Sequence, residues 1–158
     1  IGDASMARIG RLTNLVNLSL VRSQITDEGL RQLALSRTIK FLYISSTKVT
    51  DAGLPHVARL PMLLALHLDS LPITDAGLER LRSTKLTVLR LRATAITDAG
   101  LKHLAEIKTL LELNLTRTSV SPAAVADLQR ALPKCKIEWD GPGSAATPAP
   151  AASNQPSK

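Results

Sequence analysis

A tetrapeptide of the form Thr-Asp-x-Gly returns along this chain at Thr26-Asp27-Glu28-Gly29, Thr50-Asp51-Ala52-Gly53, Thr74-Asp75-Ala76-Gly77 and Thr97-Asp98-Ala99-Gly100. A β-branched aliphatic precedes each copy, at Ile25, Val49, Ile73 and Ile96, and Val120-Ser121-Pro122-Ala123 keeps the register with other letters. The steps between these aliphatics are 24, 24, 23 and 24 residues. Ile1 stands one further step before Ile25, and Ile1-Gly2-Asp3-Ala4-Ser5-Met6 aligns with the segment from Ile96 to Leu101. The chain therefore starts in the middle of a repeat. So regular a period implies a stack of similar coils, each burying its apolar residues against its neighbours.

A second pattern, Leu-x-x-Leu-x-Leu-x-x-(Thr/Ser)-x-Ile, runs into each of these sites. Its copies are Leu15, Leu18, Leu20, Ser23, Ile25; then Ile39, Leu42, Ile44, Thr47, Val49; then Leu63, Leu66, Leu68, Leu71, Ile73. Leu86, Leu89, Leu91, Thr94, Ile96 and Leu110, Leu113, Leu115, Thr118, Val120 follow, with a degenerate sixth copy read at Leu132, Cys135 and Ile137. Within each copy the leucines alternate with other residues, as in a short strand with one buried face. After the Asp, apolar positions change to helical spacing, as at Leu54, Val57 and Leu60 or Leu101, Leu104 and Ile107. The pattern predicts an α/β solenoid with a parallel sheet on one face and helices on the other. Residues 1–139 form this domain, with five full repeats and a partial first and last, and Leu18, Leu42, Leu66, Leu89 and Leu113 should align on adjacent strands. Residues 140–158, rich in Pro, Ala and Ser, read as a disordered tail.

These repeats resemble the leucine-rich repeat family, and the match runs from residue 1 to about 139. The Ile-Thr-Asp-x-Gly-Leu segments are similar to the cysteine-containing subclass, found in bacterial repeat proteins and in F-box-type substrate receptors. The resemblance implies a curved horseshoe with its sheet on the concave side and a role in binding other macromolecules. Ser23, Thr47, Thr94 and Thr118 stand where many relatives have Asn or Cys, Leu71 breaks that column, and no F-box accompanies the chain.

Composition narrows the chemistry. Aromatic residues make up 2% of the chain, one Phe, one Tyr and one Trp, so the core must be aliphatic. The formal charge of +7 permits acidic partners without requiring them. One cysteine, Cys135, excludes an internal disulfide and a cysteine-based metal cage, and reads as a small buried apolar group on a leucine position of the last strand. No apolar run is long enough to span a bilayer, so no membrane insertion is expected, and the compartment stays open. The column Asp27, Asp51, Asp75 and Asp98 reads as helix caps with local donors rather than as a calcium strip. His56 and His103 fall on outward helix surface, too far apart to share a metal. No phosphate loop, zinc signature or nucleophile elbow is present, so neither cofactor nor catalysis is expected.

Function must then lie on the strand residues that face away from the core. The central column reads Ser19, Tyr43, His67, Arg90, Asn114 and Lys136, flanked by Val21, Ser45, Asp69, Arg92, Thr116 and by Asn17, Phe41, Ala65, Val88, Glu112. Aromatic and Arg side chains anchor protein interfaces, which selects Phe41, Tyr43, His67, Asp69, Arg90 and Arg92 as the partner-binding site. The leading expectation is a protein-interaction module or scaffold within a larger protein. One alternative is an acidic ligand, nucleic acid or polysaccharide, held by Arg22, Arg90, Arg92, Arg117 and Lys136. Asp69, Glu112 and Glu138 interrupt that patch, and aromatic stacking platforms are scarce, which argues against nucleic acid. The other alternative is a substrate-recognition arm of a ubiquitin-ligase-like assembly. The first full strand also lacks a strand before it, so the chain is expected to continue upstream or to self-associate through that edge.

Overall fold

The computed structural model describes residues 1–141. Six three-residue strands, β1 (Asn17–Ser19), β2 (Phe41–Tyr43), β3 (Ala65–His67), β4 (Val88–Arg90), β5 (Glu112–Asn114) and β6 (Lys136–Glu138), lie in chain order as one parallel sheet. Helices α1 (Met6–Ile9), α2 (Asp27–Leu33), α3 (Leu54–Val57), α4 (Asp75–Glu79), α5 (Asp98–Leu104) and α6 (Pro122–Ala131) alternate with them. This is the leucine-rich repeat solenoid. Leu18, Leu42, Leu66, Leu89 and Leu113 stand opposite one another, and Ile137 extends the row. The missing residue of the 23-residue step falls in the turn after α4, so β3 and β4 keep their register and Leu81 and Leu86 stay fully buried. Parallel strands lie ~4.8 Å apart while packed helices need roughly 8–10 Å, so the sheet takes the inner side of the curve.

α3, like α1 with Asp3–Ser5 before it, is entered through a 3-10 turn. Asp51–Gly53 forms a 3-10 turn and the α-helix begins only at Leu54, with Pro55 in its first turn. After each of β1 to β5 the chain bends through a left-handed residue: Arg22, Ser46, Ser70, Ala93 and Arg117 have φ between 56° and 59°. The bend aims the N–H groups of Arg22, Ser46, Ser70 and Ala93 at carbonyls of the next repeat, continuing the ladder past each strand. Arg117 donates instead to the Asp140 carboxylate at 3.0 Å, so the residue read as the first of the tail closes the ladder. The rest of that segment, 142–158, lies outside the described residues. In the hydroxyl column, Thr47, Thr94 and Thr118 donate to the carbonyls of Ile44, Leu91 and Leu115 at 2.8, 2.6 and 2.6 Å.

Two expectations need correction. The repeated Asp does not serve its own helix. The Thr hydroxyl does that, accepting from the N–H of Glu28, Ala52, Ala76 and Ala99 at 3.2–3.3 Å. Each carboxylate instead reaches one repeat forward and takes both donors of the next Thr. Asp51 accepts from the Thr74 N–H at 2.9 Å and from its Oγ1 at 2.5 Å. Asp3 with Thr26, Asp27 with Thr50, Asp75 with Thr97 and Asp98 with Ser121 repeat the arrangement. The motif is a clamp between repeats, and it stops at Pro122, which has no carboxylate. The second correction concerns the last repeat. Leu132 ends α6 rather than opening the strand pattern, so β6 pairs two residues later than the leucine count implied. Ile137 stands opposite Leu113, Glu138 opposite Asn114, and Lys136 opposite Glu112. Cys135 is buried just ahead of β6, not in it.

At the other end β1 pairs with β2 alone, and residues 1–14 place α1 and its preceding turn against α2 rather than beside the strand. The Ile1 carbonyl accepts from the Gln24 N–H at 3.2 Å.

Candidate functional site

The six selected residues share the inner face of three adjacent strands and the turns that follow them. Register places Tyr43, His67 and Arg90 in one row across β2, β3 and β4, and Phe41, Ala65 and Val88 in the row beside it. Asp69 and Arg92 stand two residues beyond His67 and Arg90. At ~4.8 Å per strand, the patch spans roughly 10 Å across its three strands. Ala65, small and flanked in register by Phe41 and Val88, is buried, while Phe41, Tyr43 and Val88 are half-exposed. An apolar strip thus lies beside a polar row. The Tyr43 and His67 rings meet edge to face with centroids 4.5 Å apart and planes at 86°, a favourable arrangement for neighbouring aromatic rings.

Charge on this face is unevenly committed. Asp69 accepts from the Arg92 N–H at 2.9 Å, and its own N–H donates to Ser45 Oγ at 3.2 Å, so its carboxylate is a fixed element of the turn. Among the described residues, neither the Arg90 nor the Arg92 guanidinium forms an ion pair, and both are exposed. Over β5 and β6 the side chains satisfy one another. Asn114 Nδ2 donates to Glu138 Oε2 at 2.6 Å, Lys136 lies 3.8 Å from Glu138, and Asn114 Oδ1 accepts from Thr116. The sequence reading missed this closed cluster because it set Lys136, not Glu138, beside Asn114. The hollow between β4 and β6 holds about 60 Å³, space for a water or two rather than for a small-molecule ligand.

His67 has its imidazole pKa lowered from 6.5, first by burial and then by the neighbouring Arg90 charge, with Asp69 pulling the other way. A lowered folded pKa means that the folded state binds fewer protons than the unfolded state. The stability it contributes is full above the unfolded value of 6.5 and is lost as pH falls toward the folded one. An NMR titration of the His67 ring should give a midpoint below 6.5, and Arg90→Gln should move it upward. A midpoint at or above 6.5 in the native chain would contradict the contact geometry.

Away from this face, His56 and His103 are half-buried on the helical side rather than freely solvated, and His56 Nδ1 is buried without a hydrogen-bond partner. Among the described residues no cluster of His, Cys, Asp and Glu could hold a metal, and no helix is long and apolar enough to cross a membrane. Burial, then the Glu112 charge, pushes the Cys135 thiol pKa up.

A family model described as Leucine Rich repeat matches residues 11–34 and 82–105. No curated protein sequence matches the chain. Among solved structures, the tropomodulin C-terminal domain of Caenorhabditis elegans is similar over 84% of this chain and 92% of that one, with a TM-score of 0.64 and 20% identity. An LRR protein of Leptospira interrogans gives a TM-score of 0.61 at 26% identity, and the 84% of this chain that aligns spans 33% of that longer protein. Leiomodin-1 Actin-Binding Site 2 gives 0.62 at 17% identity, over 84% of this chain and 86% of that one. The repeat windows and these neighbours support the leucine-rich repeat family, and the low identities speak to the fold alone.

Proposed function

We propose that this solenoid is a protein-binding module that receives its partner on the inner sheet face, at Phe41, Tyr43, His67, Asp69, Arg90 and Arg92. One observation carries the reading: over β2–β4 the Tyr43 and His67 rings meet edge to face and, among the described residues, the Arg90 and Arg92 guanidiniums form no ion pair, whereas over β5–β6 the polar groups are spent on each other. Aromatic and Arg side chains beside an apolar strip are what an interface anchor requires. A neighbour of the same fold is named as an actin-binding site, which supports protein binding as a use of this fold; actin is not carried over to this chain. The likeness of the Thr-Asp-Ala-Gly-Leu segments to the cysteine-containing subclass, bacterial proteins and F-box-type receptors among them, favours a recognition role without chemistry of its own. An acidic ligand on this same face is disfavoured, since Glu112 and the fixed Asp69 carboxylate border the two arginines.

The test places a photocrosslinking residue at position 43 or, as a control, at position 103 on the helical side. A partner crosslinked from 43 and not from 103, whose purified form binds Arg90→Glu/Arg92→Glu at least tenfold more weakly, supports the site. Crosslinking from 103 alone removes it. The open edge of β1 is a second association surface in this reading. Sedimentation equilibrium that finds only monomer would eliminate self-association there.

A further inference from the structure

The net charge of this protein is concentrated on one flank. The six loops that lead from each helix to the following strand span residues 10–16, 34–40, 58–64, 80–87, 105–111 and 132–135. They carry nine Arg and Lys side chains, among them Arg37, Lys40, Arg82, Lys85, Lys108 and Lys134, against a single acid, Glu106. The helices carry six acids, three of them clamp aspartates, against four Arg and Lys side chains. Among the described residues no cation of these loops takes part in an ion pair. Some relief comes from the helix C-termini nearby, but helices of four to seven residues, which precede five of the six loops, have weak dipoles. Holding unpaired like charges in a row is unfavourable for the chain alone, and an anionic surface would reverse that balance.

The same loops also expose hydrocarbon. Leu12, Val16, Leu35, Met62 and Leu111 are 52, 41, 56, 46 and 51% exposed, and they are five of the seven large apolar side chains that are exposed among the described residues. Equivalent loops of successive repeats stack side by side, so cations and aliphatics share one strip along the solenoid. Two hollows open on it. One of about 360 Å³ lies between Arg37 and Lys40, with Thr38, Asn14, Val16 and Met62 in its walls. The other, about 280 Å³, has Lys108 and Lys134 beside Leu111 and Pro133. Each sets paired cations next to exposed aliphatic surface.

We propose that this flank rests on an anionic phospholipid bilayer, with the cations on headgroup phosphates and carboxylates and the aliphatic side chains entering the acyl boundary. A nucleic acid would satisfy the cations, but it would leave the aliphatics without a role, and the strip offers no aromatic ring for a base to stack on. A bilayer uses both features together.

The experiment is co-sedimentation of the full chain with phosphatidylcholine vesicles, with and without phosphatidylserine, and electrophoretic mobility of a single-stranded oligonucleotide. The chain should sediment only with the phosphatidylserine vesicles. Arg37→Glu/Lys85→Glu should weaken this by at least about fivefold per cation, while Lys48→Glu/Lys102→Glu, of equal net charge and off the flank, should not. Leu35→Ser/Met62→Ser should also weaken it. All six positions are exposed, and unchanged circular dichroism and melting confirm that the variants fold. Three results overturn the proposal: failure of the native chain to sediment, equal losses for the two charge variants, or oligonucleotide and vesicle binding both indifferent to the serine substitutions. The last would mark the strip as a general polyanion surface.

Discussion

Leu66→Ala should lower the unfolding free energy by about 2–5 kcal/mol, the range for a leucine deleted from a packed core. Leu66 is fully buried at the middle of the leucine row, between Leu42 and Leu89. Its neighbours cannot close the void, because hydrogen bonds on both edges of β3 fix the backbone: Ile44 donates to His67 and Leu68 donates to Arg90. Leu18 occupies the same place in β1 but is 9% exposed, with a neighbouring strand on one side only. Leu18→Ala should therefore cost less than half as much. A solenoid is stabilised largely by contacts between adjacent repeats. The Leu66 cavity removes contacts in both directions, and the two halves of the stack should begin to unfold separately. In urea denaturation that uncoupling appears as a lowered m-value as well as a lowered midpoint. Equal losses for the two variants would mean that the row is not the spine of the stack.

The spine was legible because its signal repeats. A single Leu-x-x-Leu-x-Leu segment fits several folds, but five in register leave one arrangement in which all can be buried, and Leu18 to Leu113 align accordingly. The candidate site followed from that register, since residues that alternate with buried leucines must face outward; Phe41, Tyr43, His67, Asp69, Arg90 and Arg92 do come together. What stayed hidden concerns contacts between repeats. Asp next to Thr at a helix start reads as a local cap, and nothing in the letters shows that its carboxylate bonds to a Thr 23 residues ahead. The last repeat was misread for a related reason. Leu132 has the right character for the strand pattern but serves the end of α6, and only the pairing of β6 with β5 exposes the two-residue error that placed Lys136 beside Asn114. The charge asymmetry of the flank was present in the sequence as +7 spread along the chain, and it became a pattern only once the loops were stacked.

Gly77→Ala should destabilise the protein even though glycine within a helix is ordinarily the poorer residue by about 1 kcal/mol. A methyl group on Gly77 would press into the Asp51 carboxylate, inside contact distance of Oδ1 and 2.9 Å from Cγ, with Leu54 Cδ1 also at 2.9 Å. The leucine methyl is the far end of a flexible side chain and can shift. Asp51 cannot, because both its oxygens are held by Thr74. The expected cost is about 1–3 kcal/mol, typical of overpacking. Asp51→Ala alone should cost about 2 kcal/mol by leaving two donors of Thr74 without their charged acceptor, moderated by water at this exposed edge. With the carboxylate gone, the close neighbour that remains is the flexible end of Leu54, and helix propensity should reassert itself. Gly77→Ala introduced into Asp51→Ala should then be neutral or slightly stabilising, giving a coupling of about 1–3 kcal/mol in a double-mutant cycle. The repeated Gly would thereby be explained as the space that the preceding repeat's Asp needs in order to reach forward. Additive effects would show instead that Gly77 is required by its own helix, and would separate the Asp from the Gly in the motif that defines this chain.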